Sequence, residues 1–225
     1  MFQGRCAAFL SRCGMMQQTL MTRFHLLCTA LAGAILVSPL GAGGEDQLTI
    51  YELLAPSTHK FAIIYDVSQP AEGSKFFFNP IRRGSIVSDE KVLDLATGKE
   101  LKWQNVDAKT AVAAGMRARN IPEGQEYLQV HLAAPVPKGG MARIRIIKTY
   151  EDAASYKEEG DAIVWDRPLG IRRNVVVLPK GYDLASCSVP TMVSTQADGR
   201  IRLSFLNDRD DQLPVRITAR KGGAK

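Results

Sequence analysis

The segment 165–174 holds the densest group of side chains in this chain that could do chemistry. Around a Pro-Leu-Gly turn it contains Trp165, Asp166, Arg167, Arg172 and Arg173. A guanidinium group forks onto carboxylate or phosphate oxygens, so these arginines are candidates for binding an anion. The alternative is structural: Asp166 and Arg167 form a charged pair that fixes a corner between two strands, and Trp165 plugs the end of the fold.

Further arginines alternate with apolar residues on both sides of this segment. Together with Arg167, Arg172 and Arg173 they predict a basic sheet face, to which these residues contribute: Arg143, Arg145, Arg200, Arg202 and Arg216. The predicted partner is an envelope protein or an anionic polymer. Nucleic acid is not expected, because removal of residues 1–44 would lower the net charge from +6 to +3, short of the strongly basic domains that bind it.

Residues typical of hydrolytic catalysis are sparse after position 44. His59 and His131 lie far apart in the chain without a carboxylate in a ligand pattern, so neither a metal site nor a cofactor is predicted. No Gly-x-Ser-x-Gly motif occurs. Cys187 is interpreted as a small buried apolar residue. The alternative is a small hydrolase built on Cys187 or the Arg-Asp corner, with His131 as its base, which requires His131 and Cys187 to lie together in a pocket.

An apolar segment over 26–37 predicts export. Arg23 precedes it and small residues follow it over 41–44, which is the arrangement of a secretory signal peptide. The segment is shorter than the roughly 20 residues of a membrane-spanning helix. We therefore predict a signal peptide over 1–44, with Met21 as an alternative start, and a periplasmic or secreted product without a stable membrane span.

Apolar residues recur at every second position along most of the remaining chain. This pattern predicts strands over 59–67, 127–133 and 142–150. In 127–133 it predicts that Gln129 and His131 face solvent. Asp198-Gly199 is typical of a hairpin turn between two more strands. Helical pattern is confined to 108–118 and one turn near 152–158. We predict an all-β, antiparallel two-sheet sandwich over 45–220 with at most one or two short helices, followed by a flexible tail over 221–225.

Three consecutive aromatic residues, Phe76, Phe77 and Phe78, stand out within this pattern. In an extended strand the middle ring points away from its neighbours. Either the sheet is covered on both sides, or Phe77 belongs to an exposed contact patch.

One stretch resembles a known family. Residues 132–140 (LAAPVPKGG), followed by 143–146 and 149–152, are similar to the rhythm of apolar residue, proline, turn, long strand and tyrosine in the amino-terminal β-sandwich of aminopeptidase-N-like (M1-type) zinc metallopeptidases. Residues 160–178 are similar to the part that follows. The resemblance implies an accessory sandwich without the catalytic domain, and it carries over no catalytic residue because the His-Glu-x-x-His helix is absent.

The leading hypothesis is an exported, non-enzymatic β-sandwich that binds an envelope protein or an anionic glycan. Besides the hydrolase, one alternative stays open, a structural subunit that pairs with a neighbour through a sheet edge. The oligomeric state is not predicted.

Overall fold

The computed structural model describes residues 46–118 and 120–222, and these fold mainly into β-strands. The strands are β1 (Gln47–Leu53), β2 (Lys60–Gln69), β3 (Phe76–Pro80), β4 (Ile86–Asp94), β5 (Trp103–Asp107), β6 (Glu126–His131), β7 (Ala142–Glu151), β8 (Tyr156–Glu159), β9 (Ala162–Leu169), β10 (Arg173–Val177), β11 (Tyr182–Cys187), β12 (Met192–Thr195), β13 (Ile201–Leu206) and β14 (Leu213–Lys221). Helix α1 (Ala108–Ala113) and a 3-10 turn (Pro56–Thr58) are the helical elements of these residues. No helix among them is long and apolar enough to cross a bilayer.

Two predicted segments lie wholly or partly beyond this range. The signal peptide over 1–44 lies outside the described residues, as does the end of the tail from 223 onward. Lys221 belongs to β14 instead of the tail.

The strands form three sheets. The largest has the order β12-β13-β10-β1-β2-β7-β4, the second β11-β14-β9-β8, and the third β3-β6-β5. All their pairings are antiparallel except that of β1 with β10. The predicted class, an all-β antiparallel sandwich, is confirmed.

The seven-stranded sheet forms one layer, and both smaller sheets cover the same face of it. Alternate residues of β2 show this arrangement, because Phe61 and Ile63 pack with the four-stranded sheet, whereas Val67 packs with the three-stranded sheet. Tyr65, between them on the same face, contacts both cores. The second layer is therefore split into two sheets where the sequence predicted one, and the split leaves a gap above the centre of the large sheet.

The three-stranded sheet is buried on both sides, unlike the prediction for 127–133. Gln129 was expected to face solvent but is 3% exposed, and its Oε1 accepts a hydrogen bond of 2.8 Å from Gln104 Nε2. Helix α1 covers this second face through Ala111, which packs with Tyr127. The helix ends at Ala113, short of the predicted 118, because the chain turns at Gly115 with a positive φ of 98°.

Coverage on both sides also explains the aromatic run. Phe77 is buried in the core that contains Val67, while Phe78 packs against the cluster under α1. The alternative of an exposed patch at Phe77 is wrong, because the large sheet covers that ring.

Candidate functional site

A cavity of about 390 Å³ lies where the two smaller sheets meet over the large one. Its floor is the inner face of β1, β2 and β7, and its walls come from β3 and β9 together with the loops that follow them. Its volume is in the range of small-molecule sites. The charged residues that line it are Arg82, Lys148 and Arg167, and no carboxylate is among its lining residues.

Lys148 rises from the floor of the cavity. It stands opposite Ile63 in the β2–β7 ladder, at an inward position next to Ile146 and Tyr150, and is only 5% exposed. Its Nζ donates to Asn79 Oδ1 at 3.3 Å and lies 5.0 Å from the centre of the Tyr150 ring. None of the salt bridges within the described part of the chain involves Lys148. Burial of an ammonium group without a paired carboxylate is costly, so this residue invites a functional explanation.

The carboxylate of Glu90 interacts electrostatically with Lys148. Burial raises the pKa of Glu90 above its ordinary value, and the positive charge of Lys148 opposes that rise. Glu90 lies on β4 and does not line the cavity. It therefore attracts Lys148 without forming an ion pair with it.

Arg167 forms the facing wall from β9. Its guanidinium carbon lies 5.4 Å from the ring centre of Phe61, 5.6 Å from that of Tyr150 and 5.7 Å from that of Tyr51. Burial lowers the pKa of Arg167, against the attraction of Tyr51, Tyr150 and Asp152. An arginine nevertheless stays protonated at neutral pH because its ordinary pKa is so high. The aromatic rings therefore surround a fixed positive charge.

Asp152 holds Arg167 in place from the side away from the cavity. Its Oδ2 accepts bonds from Arg167 Nη1 at 3.3 Å and Ser155 Oγ at 2.7 Å, and its Oδ1 accepts from the Ser155 and Ala154 amides, both at 3.1 Å. Arg82 Nε lies 3.8 Å from the same carboxylate. Burial opposes ionisation, but the Ser155 hydrogen bonds and the two arginines hold the pKa of Asp152 below its ordinary value.

The charge of the site is therefore unbalanced. One carboxylate, Asp152, serves both Arg82 and Arg167, and Lys148 has no carboxylate within ion-pair distance among the described residues. Arg82, whose side chain is 40% exposed, stands at the mouth, where it also lines a neighbouring depression of about 550 Å³. The cavity thus presents two buried cations, Lys148 and Arg167, and one partly exposed cation, Arg82, to a ligand.

The arginines of the predicted basic face are divided between surfaces. Arg143, Arg145, Arg173 and Arg202 occupy outward positions of the large sheet, Arg216 occupies an outward position on β14, and Arg172 is exposed before β10. Arg167 points inward and is the one member of the set that lines the cavity. Anion binding by the other seven stays a prediction.

Acidic neighbours neutralise much of that outward charge. Arg145 binds Asp66 with both nitrogens of its fork, at 2.7 and 2.8 Å. The other ion pairs of these arginines join Arg143 and Arg173 to Asp46, Arg200 to Glu52 and Asp198, and Arg216 to Glu159 and Asp166. The outer surfaces are therefore mixed in charge, in contrast to the cavity.

The predicted corner at residues 165–167 is wrong in its pairing. Strand β9 runs through these residues without a break, so Asp166 and Arg167 project to opposite faces. Asp166 accepts from Arg216 Nη1 at 2.9 Å, and Arg167 turns inward to Asp152. Trp165 is 1% exposed and lies in the core, with its ring centre 5.3 Å from that of Tyr51.

The residues of the hydrolase alternative lie in different sheets. His131 ends β6 and stacks edge-on against Phe76 at 4.9 Å, whereas Cys187 ends β11 and is partly buried against the other core. Neither residue lines the cationic cavity. No group of three His, Cys, Asp or Glu side chains that could hold a metal ion is found within 46–118 and 120–222. The geometric condition for a Cys187–His131 site is not met.

The sequence analysis did not predict a role for Lys148 or Arg82, nor for the aromatic rings around Arg167, which belong to Tyr51, Phe61 and Tyr150. A usable signal was present, because the alternation of Ile144 and Ile146 along β7 continues inward to Lys148 before it reaches Tyr150. A lysine at an inward position of a central strand marks a buried charge.

The fold and this site define a β-sandwich with a cationic cavity under its split layer. No family model matches the chain, and no curated protein matches it in sequence. Solved structures similar to it include the M1 zinc metallopeptidase from Deinococcus radiodurans (12% identity, TM-score 0.45, 77% of this chain and 41% of that one) and an aminopeptidase N family protein from Idiomarina loihiensis (8% identity, TM-score 0.44, 76% and 29%). The part of these proteins that matches is their amino-terminal domain. It is the same domain that residues 132–178 resemble in sequence. The chain spans about two fifths or less of the length of these proteins.

Proposed function

We propose that the protein is an exported, non-catalytic β-sandwich that acts by binding, and that the cavity receives a carboxylate group of its ligand. The observation that carries this proposal is the pair of buried cations, Lys148 and Arg167, in a cavity lined by no acid. Charge-assisted hydrogen bonds from ammonium and guanidinium groups to a carboxylate are short and strong. Arg82 at the mouth supplies a third donor.

The side chains of the cavity walls favour an apolar or aromatic group next to the carboxylate. Tyr51, Tyr65, Phe77 and Tyr150 offer aromatic surface next to the cations. A ligand with an apolar or aromatic body beside its carboxylate fits both properties. A volume of about 390 Å³ admits a small molecule or the end of a chain, so an envelope protein or anionic glycan would enter through one acidic side chain or end group.

Export rests on the pattern of residues 1–44, in which an apolar segment follows Arg23 and precedes a run of small residues. Fractionation of cells that express the full chain tests it. We expect the protein in the periplasm or medium, with a mass reduced by cleavage near residue 44. Uncleaved protein in the cytosol would contradict this part of the proposal.

Binding is tested by titration calorimetry with matched ligand pairs. Each pair combines a monocarboxylate, such as phenylacetate, with its neutral amide, so that only the charge differs. We expect each carboxylate that binds to do so at least about tenfold more tightly than its amide, because a hydrogen bond to a charged group contributes about 1.5–3 kcal/mol.

Two variants locate the binding. Lys148→Met should lower the preference for the carboxylate, although Arg167 and Arg82 remain. Arg202→Gln, on the outer face of the large sheet, should leave it unchanged. Equal affinity for carboxylates and amides, or unchanged binding in Lys148→Met, would refute the cavity as the site.

A further inference from the structure

Strand β12 closes one edge of the seven-stranded sheet with a surface that carries no charge. All four of its residues are exposed, with Met192 at 73% and Val193 at 52%. The stretch 191–196 (TMVSTQ) contains no charged residue, proline or glycine. An uncharged strand with β-branched residues at a sheet edge is a ready template for another strand.

Four of the five other edge strands of the described residues carry features that block such pairing. Strand β4, at the opposite edge of the same sheet, is interrupted by an irregularity between Ser88 and Lys91. Strand β11 has a register shift, β8 carries three charged residues in four positions, and β3 ends in Pro80. Bulges, charges and prolines are the usual protections of an edge, so β12 differs from these strands in lacking all three.

The backbone of β12 presents a defined set of free groups. The amide of Gln196 donates to the Arg200 carbonyl at 2.8 Å, so even-numbered residues of this strand bond to β13. Because the pattern alternates along an antiparallel pair, the amide and carbonyl groups of Thr191, Val193 and Thr195 point away from the sheet. Three consecutive outward positions are therefore available to a new strand.

We infer that β12 pairs antiparallel with β12 of a second copy of this chain, about a two-fold axis at Val193. In this register the outward groups of Val193 face those of the partner subunit's Val193, and Thr191 faces the partner subunit's Thr195. The pairing forms about six backbone hydrogen bonds. It joins two seven-stranded sheets into one.

A second copy fits this edge because the strand is complementary to itself. A two-fold axis places like beside like, and an uncharged strand meets no repulsion there. The register keeps faces matched, so the two Val193 side chains meet on the inner face, and Met192 lies beside the partner subunit's Ser194 on the outer face. The contact is small, which predicts a dimer that dissociates on dilution.

Sedimentation velocity between about 1 and 300 μM tests the pairing. We expect the protein to shift from monomer to dimer across this range. Val193→Pro removes an amide that no strand of the same molecule uses, so the fold should persist while the dimer is lost. Val193→Thr keeps the amide and the branched side chain and should still dimerise. A monomer at every concentration would overturn the inference, as would equal dimerisation of Val193→Pro.

A cross-link tests the register without relying on the proline variant. In a background with Cys6, Cys13, Cys28 and Cys187 replaced by serine, Val193→Cys should form a disulfide-linked dimer under mild oxidation. Directly opposed residues in such a pair lie about 5.5 Å apart between Cα atoms, which is within disulfide reach. Ser194→Cys should form little, because it faces the partner subunit's Met192. Cross-linking of Ser194→Cys in preference to Val193→Cys would refute the Val193-centred axis.

Discussion

Replacement of Lys148 with methionine should stabilise the protein while it weakens anion binding. The ammonium group is buried with a single hydrogen bond of 3.3 Å and one ring contact at 5.0 Å. Its effective desolvation costs several kcal/mol. The hydrogen bond returns about 1 kcal/mol because it is long, and the ring contact returns about 1–2 kcal/mol.

The sum of these contributions favours methionine over lysine in the folded state. Met fills nearly the same volume as the lysine stem and removes the buried ammonium group, and half-buried Glu90 loses only an attraction that is not an ion pair. We therefore expect the free energy of unfolding to rise by about 1–3 kcal/mol. For a domain of this size, 1 kcal/mol shifts the melting temperature by about 2–4 °C. The melting temperature should therefore rise by about 2–12 °C.

Urea unfolding monitored by circular dichroism measures this change. If the slope of the unfolding free energy against urea concentration is unchanged, the unfolded state is the same in both proteins. Lys60→Met is the matched control, because Lys60 is 43% exposed in its pair with Glu151, and its replacement should shift stability by no more than about 0.5 kcal/mol. If Lys148→Met instead loses more than about 1 kcal/mol, Lys148 has a structural role. The argument that it is retained for a ligand would then fail.

Two further predictions concern Asp152. Asp152→Ala should destabilise the protein by about 3–5 kcal/mol because it leaves Arg167 buried without its carboxylate. Asp166→Ala should leave the melting temperature unchanged. If Asp166→Ala were instead the more destabilising variant, the predicted Asp166–Arg167 pair would be supported. Since the pKa of Asp152 is lowered by folding, its stabilisation is complete above the unfolded value near 4 and is lost as the pH falls through the folded value. Stability should therefore fall less steeply between about pH 5 and 2 in Asp152→Asn than in the unchanged protein, and exposed Asp161→Asn should keep the full slope; equal slopes would contradict this role.

Alternation of apolar residues was enough to predict most strands and the fold class. Strand β7 illustrates why, because Ile144 and Ile146 are buried while Arg143 and Arg145 face outward, as the pattern requires. A half-buried strand imposes this period on its side chains directly, so the sequence preserves it.

No comparable sequence pattern predicts the division of the second layer into two sheets. Whether β9 pairs with β6 depends on contacts between distant segments, and both strands show buried residues in either case. The period of two also fails where both faces are covered, which is why Gln129 was assigned to solvent. The charges of segment 165–174 predict an ion pair between Asp166 and Arg167. The continuous strand β9 instead places these neighbouring residues on opposite faces.

The split itself accounts for the buried cations. A continuous second layer would press apolar side chains onto every inward position of β7, and a lysine there would meet hydrocarbon on all sides. Because β9 and β3 do not join, the inward position of Lys148 opens into the cavity that Arg167 faces from the other wall. The same gap that makes a charge at this position tolerable also admits a ligand to it. An inward lysine in a central strand thus signals a break in the opposing layer, and here that break is the place where an anion fits.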